Sequence, residues 1–227
     1  MFMSDLSSNL FLSPSGLADF AILHEPRKWS ESQKKSLPDP EGEYQTGLVI
    51  GNEEGKHFKT IVDGCVQKKL TESIEKAFED LKKNKPKKVE KFKDAMAWQK
   101  SENVFSCYYP YTQIEDEDGE ALDAWKFKFK RKAKIRYKDR ETGEQKEYSF
   151  APEFANKAGE TLSPDYFEEN GLIGNESEIR IKYKPYAWVS PNNQVGVKLE
   201  LYYVQLIDHI PFQTSGVKDK GPLFEPV

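Results

Sequence analysis

The chain has 227 residues, enough for one large domain or two small ones, and its 37% hydrophobic and 13% aromatic content excludes a disordered chain. The formal net charge of −4 provides no overall basic field, so attraction to a polyanion would have to come from local segregation of charge. Two cysteines exclude a disulfide scaffold and fit a reducing cytoplasm. The scattered His24, His57 and His209 lack the spacing of metal ligands, and no apolar stretch reaches membrane-spanning length.

Residues 1–15 carry Ser, Asn and Pro and read as an arm, residues 16–210 as the folded domain, and residues 211–227 as a tail. Leu17 to Leu23 has strand character and stops at His24-Glu25-Pro26. Residues 27–41 contain Pro38 and Pro40 and read as a surface loop, with Trp29 capping an edge of the core. From Glu43 to Ile50 the residues Tyr44, Thr46, Leu48 and Ile50 share one face of a strand that Gly51-Asn52 ends. The apolar period then changes. Phe58, Val62, Val66, Leu70, Ile74, Phe78 and Leu81 recur at helical spacing from about Lys56 to Lys83, and Asn84 with Pro86 closes that helix.

Seven lysines between 82 and 93 form a solvated linker or a secondary contact for a polyanion. Trp98 to Ile114 reads as an irregular aromatic segment packed over a sheet. The acidic run Glu115 to Asp123 does not fit a calcium loop: with Gly119 at the turn, Ile114 would occupy the first ligand position, which leaves a solvated hairpin loop.

Trp125 to Tyr137 follows. In an extended strand Trp125, Phe127, Phe129, Ala133, Ile135 and Tyr137 fall on one face, and Lys126, Lys128, Lys130, Lys132, Lys134 and Arg136 on the other. Between Ala124 and Arg140 nine Lys or Arg face one acid, Asp139. Like charges at two-residue spacing repel one another, and with nothing acidic interleaved a polyanion along the strand would relieve them. A solubilising edge strand is the competing explanation. Arg131, on the apolar side, marks either a bulge or the point where the strand leaves the sheet interior.

A turn at Thr142-Gly143 leads into Gln145 to Phe150, and Ala151 to Gly174 forms a long connection with a helical turn. Ser177 to Trp188 is a second basic strand: Ile179, Ile181 and Tyr183 face one way, and Arg180, Lys182, Lys184, Tyr186 and Trp188 the other. After Ser190-Pro191-Asn192-Asn193, a last core strand places Val195, Val197, Leu199, Leu201 and Tyr203 on one side. Cations followed by exposed aromatics are what a single-stranded nucleic acid requires, because phosphates meet Lys and Arg while unpaired bases stack on rings. Short strands, one helix and long loops fit a mainly β protein, an OB-fold: a partly open five-stranded Greek-key barrel. No Gly-rich phosphate loop, nucleophile elbow or paired-histidine zinc motif is present, so neither catalysis nor a cofactor is expected.

Five blocks in order carry a resemblance: Gly42 to Ile50, Trp125 to Lys130, Ile173 to Ser177 leading into Arg180 to Tyr183, Pro185 to Trp188, and Val195 to Leu201. The chain resembles the single-stranded DNA-binding proteins of short-tailed, T-seven-type bacteriophages over roughly residues 16–208. The resemblance implies an OB-fold with an inserted helix that binds and protects single-stranded DNA during phage replication and recombination, promotes annealing, and works in the cytoplasm of the infected bacterium. By position, Lys128, Lys130, Arg180 and Lys182 look like backbone contacts, and Tyr186 and Trp188 like stacking residues. The pattern extends the phosphate set to Lys126, Lys132, Lys134 and Lys184. The resemblance also implies a homodimer and an acidic C-terminal tail that contacts polymerase and helicase-primase. Residues 211–227 depart from this: Lys218 and Lys220 balance Asp219 and Glu225. Two further readings stay open from the residues alone, a structural or assembly protein docking an acidic partner and an RNA-binding OB module.

Overall fold

A computed structural model describes residues 10–139 and 141–213; the greater part of the expected N-terminal arm and of the C-terminal tail lies outside the described residues. In chain order the elements are β1 (Phe11–Leu12), β2 (Gly16–Ser30), β3 (Lys35–Pro38), β4 (Glu43–Gly51), α1 (Asn52–Asn84), α2 (Ala95–Glu102), β5 (Ser106–Tyr108), β6 (Tyr111–Glu115), β7 (Ala121–Lys132), β8 (Lys134–Lys138), β9 (Gln145–Ser149), β10 (Glu153–Ala155), α3 (Pro164–Asn170), β11 (Glu178–Val189) and β12 (Gln194–Asp208).

Five long strands form a closed ring in the order β2-β4-β7-β12-β11, and β11 pairs back onto β2 through Glu178 with Leu17 and Ile179 with Gly16. All contacts in the ring are antiparallel except β7–β12, where Leu199 and Glu200 run parallel to Phe129 and Lys130. This is the expected OB-fold, with the long helix inserted between the second and third strands of the ring. Alternation puts Leu48, Ile50, Phe127, Phe129, Ile179, Ile181, Val197, Leu199 and Leu201 inside, all essentially buried. Phe58 of α1 plugs the barrel, edge-on to Phe127 at 4.6 Å and to Tyr183 at 5.7 Å between centroids. Each such buried ring contributes roughly 1.5–3 kcal/mol.

Several elements differ from the sequence reading. β2 does not stop at His24: it runs to Ser30 and forms a hairpin with β3 where a loop was expected, and Trp29, opposite Ser36, is 55% exposed rather than capping the core. The helix starts at Asn52, four residues early, because Asn52 turns the chain out of β4 with φ of 54°. The irregular segment near Trp98 contains α2, whose N-terminus is capped by Asp94 Oδ1 accepting from Ala97 N at 2.8 Å. Trp98 there packs on Phe78 of α1 and closes a second core cluster with Val89, Phe105 and Val195. Residues 10–15, read as arm, lie on the barrel, since β1 pairs with β11 and Ser13 bonds Ile181 through both its N–H and its Oγ.

The basic run from Trp125 to Tyr137 is two strands, not one. β7 ends at Lys132, the chain bends at Ala133, and among the described residues β8 pairs only with β9, as a separate hairpin. Ile135 and Tyr137 therefore sit outside the barrel, and Tyr137 stacks in parallel on Tyr148 at 5.4 Å. β7 carries no bulge at Arg131; the register with β4 is continuous through Lys132. The bulge is in β12, between the pairs Lys182–Tyr203 and Tyr183–Leu201, where Tyr202 is the extra residue. It turns Tyr203 onto the Lys182 face, opposite to the expectation, and sends Val204 and Leu206 into the core. Among the described residues no helix is long and apolar enough to cross a membrane.

Candidate nucleic-acid interface

The outward residues of β7, β11 and β12 make one continuous face. β7 presents Lys126, Lys128 and Lys130, and β11 presents Arg180, Lys182, Lys184, Tyr186 and Trp188. A groove of about 270 Å³ joins the two strands, lined by Lys128, Lys130, Tyr186, Trp188, Lys198 and Tyr108. Tyr186 is 59% exposed, with the Lys198 ammonium 5.8 Å from its ring centroid. The Trp188 indole lies over its cross-strand partner Gly196: a Cβ there would come 2.5 Å from the ring, so glycine is the residue that lets the indole lie flat on the strand. One face of Trp188 is thus fixed by backbone.

Sequence reasoning missed Tyr108. It lies on β5, which pairs in parallel with β12 and sets Tyr108 opposite Gly196. Trp188 and Tyr108 flank that glycine, with ring centroids 5.8 Å apart. Clustered aromatics around Pro110 were the only signal in the chain.

Farther along β11, Arg180, Lys182, Tyr203 and Gln205 line a second groove of about 280 Å³. Arg180 Nε is buried without a hydrogen-bond partner among the described residues. The Lys182 ammonium lies 5.8 Å from the Tyr203 ring, a contact that follows from the β12 bulge.

The cation ladder is not free of acids. Lys126 reaches across Gly47 to Asp19 at 3.0 Å, Lys130 pairs with Glu43 at 3.4 Å, and Lys134 pairs with Glu147 at 3.3 Å. Arg136 binds both Glu147 and Glu41. The absence of interleaved acid holds within the run but not in space, because neighbouring strands supply it. Lys128 and Lys132 have no ion-pair partner among the described residues. Lys132 stands at the end of β7 opposite Glu43, and Lys134 belongs to the β8–β9 hairpin.

Arg131 is held between Phe150 and Tyr202, with its guanidinium carbon 3.9 Å and 4.0 Å from their centroids, and it is 6% exposed. Burial lowers its pKa, while Tyr202 and Glu200 oppose that shift. It fastens the hairpin end to the barrel and takes no part in the open face. Behind β6, Tyr111 donates to Asp63 of α1 and Tyr109 accepts from Gln67 Nε2 at 2.9 Å; burial raises the pKa of both phenols, so they stay protonated. His24, stacked on Phe154 at 4.9 Å, is lowered to about 4 by burial, assisted by His209. Among the described residues no three His, Cys, Asp or Glu side chains are grouped to hold a metal.

A family model described as single-stranded DNA-binding protein, bacteriophage T7, matches residues 17–209. Among solved structures, the crystal structure of gp2.5, a single-stranded DNA-binding protein encoded by bacteriophage T7, superposes with a TM-score of 0.58 at 20% identity, covering 92% of this chain and 97% of that one. The single-stranded DNA-binding protein from bacteriophage Enc34, in complex with ssDNA, superposes at 0.50 with 13% identity, covering 91% of each chain. At these identities the likeness is one of fold. No curated protein sequence matches the chain.

Proposed function

The chain belongs to the family of the bacteriophage T7 single-stranded DNA-binding protein, a family of binding proteins rather than enzymes, and we propose that it binds single-stranded DNA along the outer face of β7, β11 and β12. The DNA is held with little sequence preference and protected during phage replication and recombination, with annealing of complementary strands as a further role. Lys126, Lys128, Lys130, Arg180, Lys182 and Lys184 take phosphates. Lys132 and Lys134, at the edge of this face, add to its field. Tyr186 and Trp188 stack bases.

One observation carries the reading: Lys128, Lys130, Tyr186 and Trp188, from two strands more than fifty positions apart, border a single groove. Phosphate charge and base faces are available together only in an unpaired strand, because a duplex hides the faces. The stacking rings read no base identity, which accounts for weak sequence preference.

The test is equilibrium binding to dT, rU and duplex oligonucleotides at two salt concentrations. We expect dT to bind more tightly than duplex, with log affinity falling by roughly 0.7 per log unit of salt for each phosphate contacted. Salt-independent affinity, or competition by phosphate-free acidic peptides as effective as dT, contradicts the proposal. A preference for rU would transfer it to RNA through the 2′-hydroxyl.

A further inference from the structure

Phe20 is 72% exposed, yet it adopts φ of 48°, in the left-handed region that a bulky aromatic rarely enters. It falls where the β2–β4 register is interrupted between Asp19 and Ile22, and its N–H is held by Asn175 Oδ1 at 2.9 Å. The ring gains little burial in exchange for this backbone. Glycine or asparagine would fit the turn better, so folding alone gives no reason for phenylalanine.

Its surroundings supply one. Phe20 borders a cleft of about 340 Å³ whose other walls include Tyr108, Tyr109, Tyr111, Lys126 and Lys128. The two inner tyrosines are braced from behind by Asp63 and Gln67 of α1, so the walls are preformed. Lys128 has no ion-pair partner among the described residues, and Lys126 is held by Asp19 on the cleft wall. Tyr108, Pro110 and Lys128 also line the Trp188 groove, so the cleft continues the face assigned above.

We propose that this cleft is a further nucleotide site on the same single strand: a base enters between Phe20 and the tyrosines while its phosphate meets Lys128. The inference rests on the single-stranded DNA reading and extends the bound path from β11, across β7, onto β2. The strained turn with its Asn175 bond presents the Phe20 ring to the base, an arrangement in which local backbone strain serves binding.

Fluorescence anisotropy with labelled oligo-dT tests it, using Phe20→Gly, Phe20→Leu and Phe20→Trp. Glycine accepts the positive φ, so Phe20→Gly should keep a melting temperature close to that of the original protein while binding dT about fivefold to a hundredfold more weakly, the range of one lost base stack. Phe20→Leu should weaken binding similarly, and Phe20→Trp should restore it. Unchanged affinity in a folded Phe20→Gly protein, or full affinity with Phe20→Leu, overturns the inference and leaves the Tyr186–Trp188 reading standing. Failure of the unsubstituted protein to bind dT overturns both.

Discussion

Lys126 to Lys130 and Lys134 to Lys138 are two halves of one basic run, with the same residue types at the same spacing, and they meet different surroundings. The first half lies on a barrel strand beside β11 and β12, where Tyr186, Trp188 and Tyr108 stand among its ammonium groups. The second half lies on a two-stranded hairpin, where Lys134 and Arg136 both face Glu147, and Arg136 also reaches Glu41. Hydrogen bonds donated by Arg136 and Lys134 hold Glu147 below its ordinary pKa, and the same bond to Glu147, with Glu41 beside it, holds Arg136 above its own. Lys126 and Lys130 also meet acids, Asp19 and Glu43, so what separates the halves is the set of ring faces and the unpaired Lys128 that the barrel half alone offers among the described residues.

The contrast breaks most readily at the aromatics. Replacing Tyr186 and Trp188 together with Ala should weaken dT binding by roughly 2–6 kcal/mol if each ring stacks one base. The matched change in the hairpin, Tyr137→Ala with Tyr148→Ala, removes an exposed aromatic pair outside the barrel face and should leave affinity unchanged. Equal losses in the two double variants would erase the distinction between the halves.

The junction between the halves is Arg131, and its effect should appear in stability. Arg131→Ala removes a guanidinium held between two rings and should cost about 2–4 kcal/mol in urea unfolding, while the folded fraction keeps its dT affinity. A loss of affinity without a loss of stability would instead place Arg131 on the DNA.

A smaller effect belongs to His24, which packs on Phe154 and Phe167 in the wall of a separate groove of about 530 Å³ that no Lys or Arg among the described residues lines. Its folded pKa, about 4, lies below the ordinary 6.5, so between these values the unfolded chain binds a proton that the folded one refuses. Its contribution to stability is complete above about pH 6.5 and falls as pH drops toward 4. The loss should be about 1–2 kcal/mol after allowing for solvent screening of a half-buried ring. His24→Phe should flatten this part of the stability–pH curve; an identical curve in the variant would mean that other groups set it.

Alternation along single strands made much of this legible. The inward faces of β4, β7 and β11 follow from their apolar period, and the long helix α1 follows from the change to helical spacing after β4. Periodicity describes a strand's own faces and says nothing of its neighbours. For that reason the acids beside the ladder, Asp19, Glu43 and Glu147, were invisible, as was Tyr108, brought to Trp188 by a parallel pairing across more than eighty positions. One inserted residue, Tyr202, was enough to reverse Tyr203, because a period of two inverts with every single-residue shift. Arg131 carried a signal in its break of the apolar pattern. Its meaning depended on Phe150 and Tyr202, which only the folded chain places beside it.

The most direct measurement of the account is the salt dependence of dT binding in two matched double variants, Lys128→Ala with Lys182→Ala on the barrel face and Arg136→Ala with Lys146→Ala on the hairpin. Removing two phosphate contacts from the barrel face should lower the slope of log affinity against log salt by roughly 1.4, and removing the hairpin cations, already matched by acids, should leave the slope unchanged. A hairpin variant whose slope falls as far as that of the barrel variant would contradict the claim that the strand is bound on the barrel face.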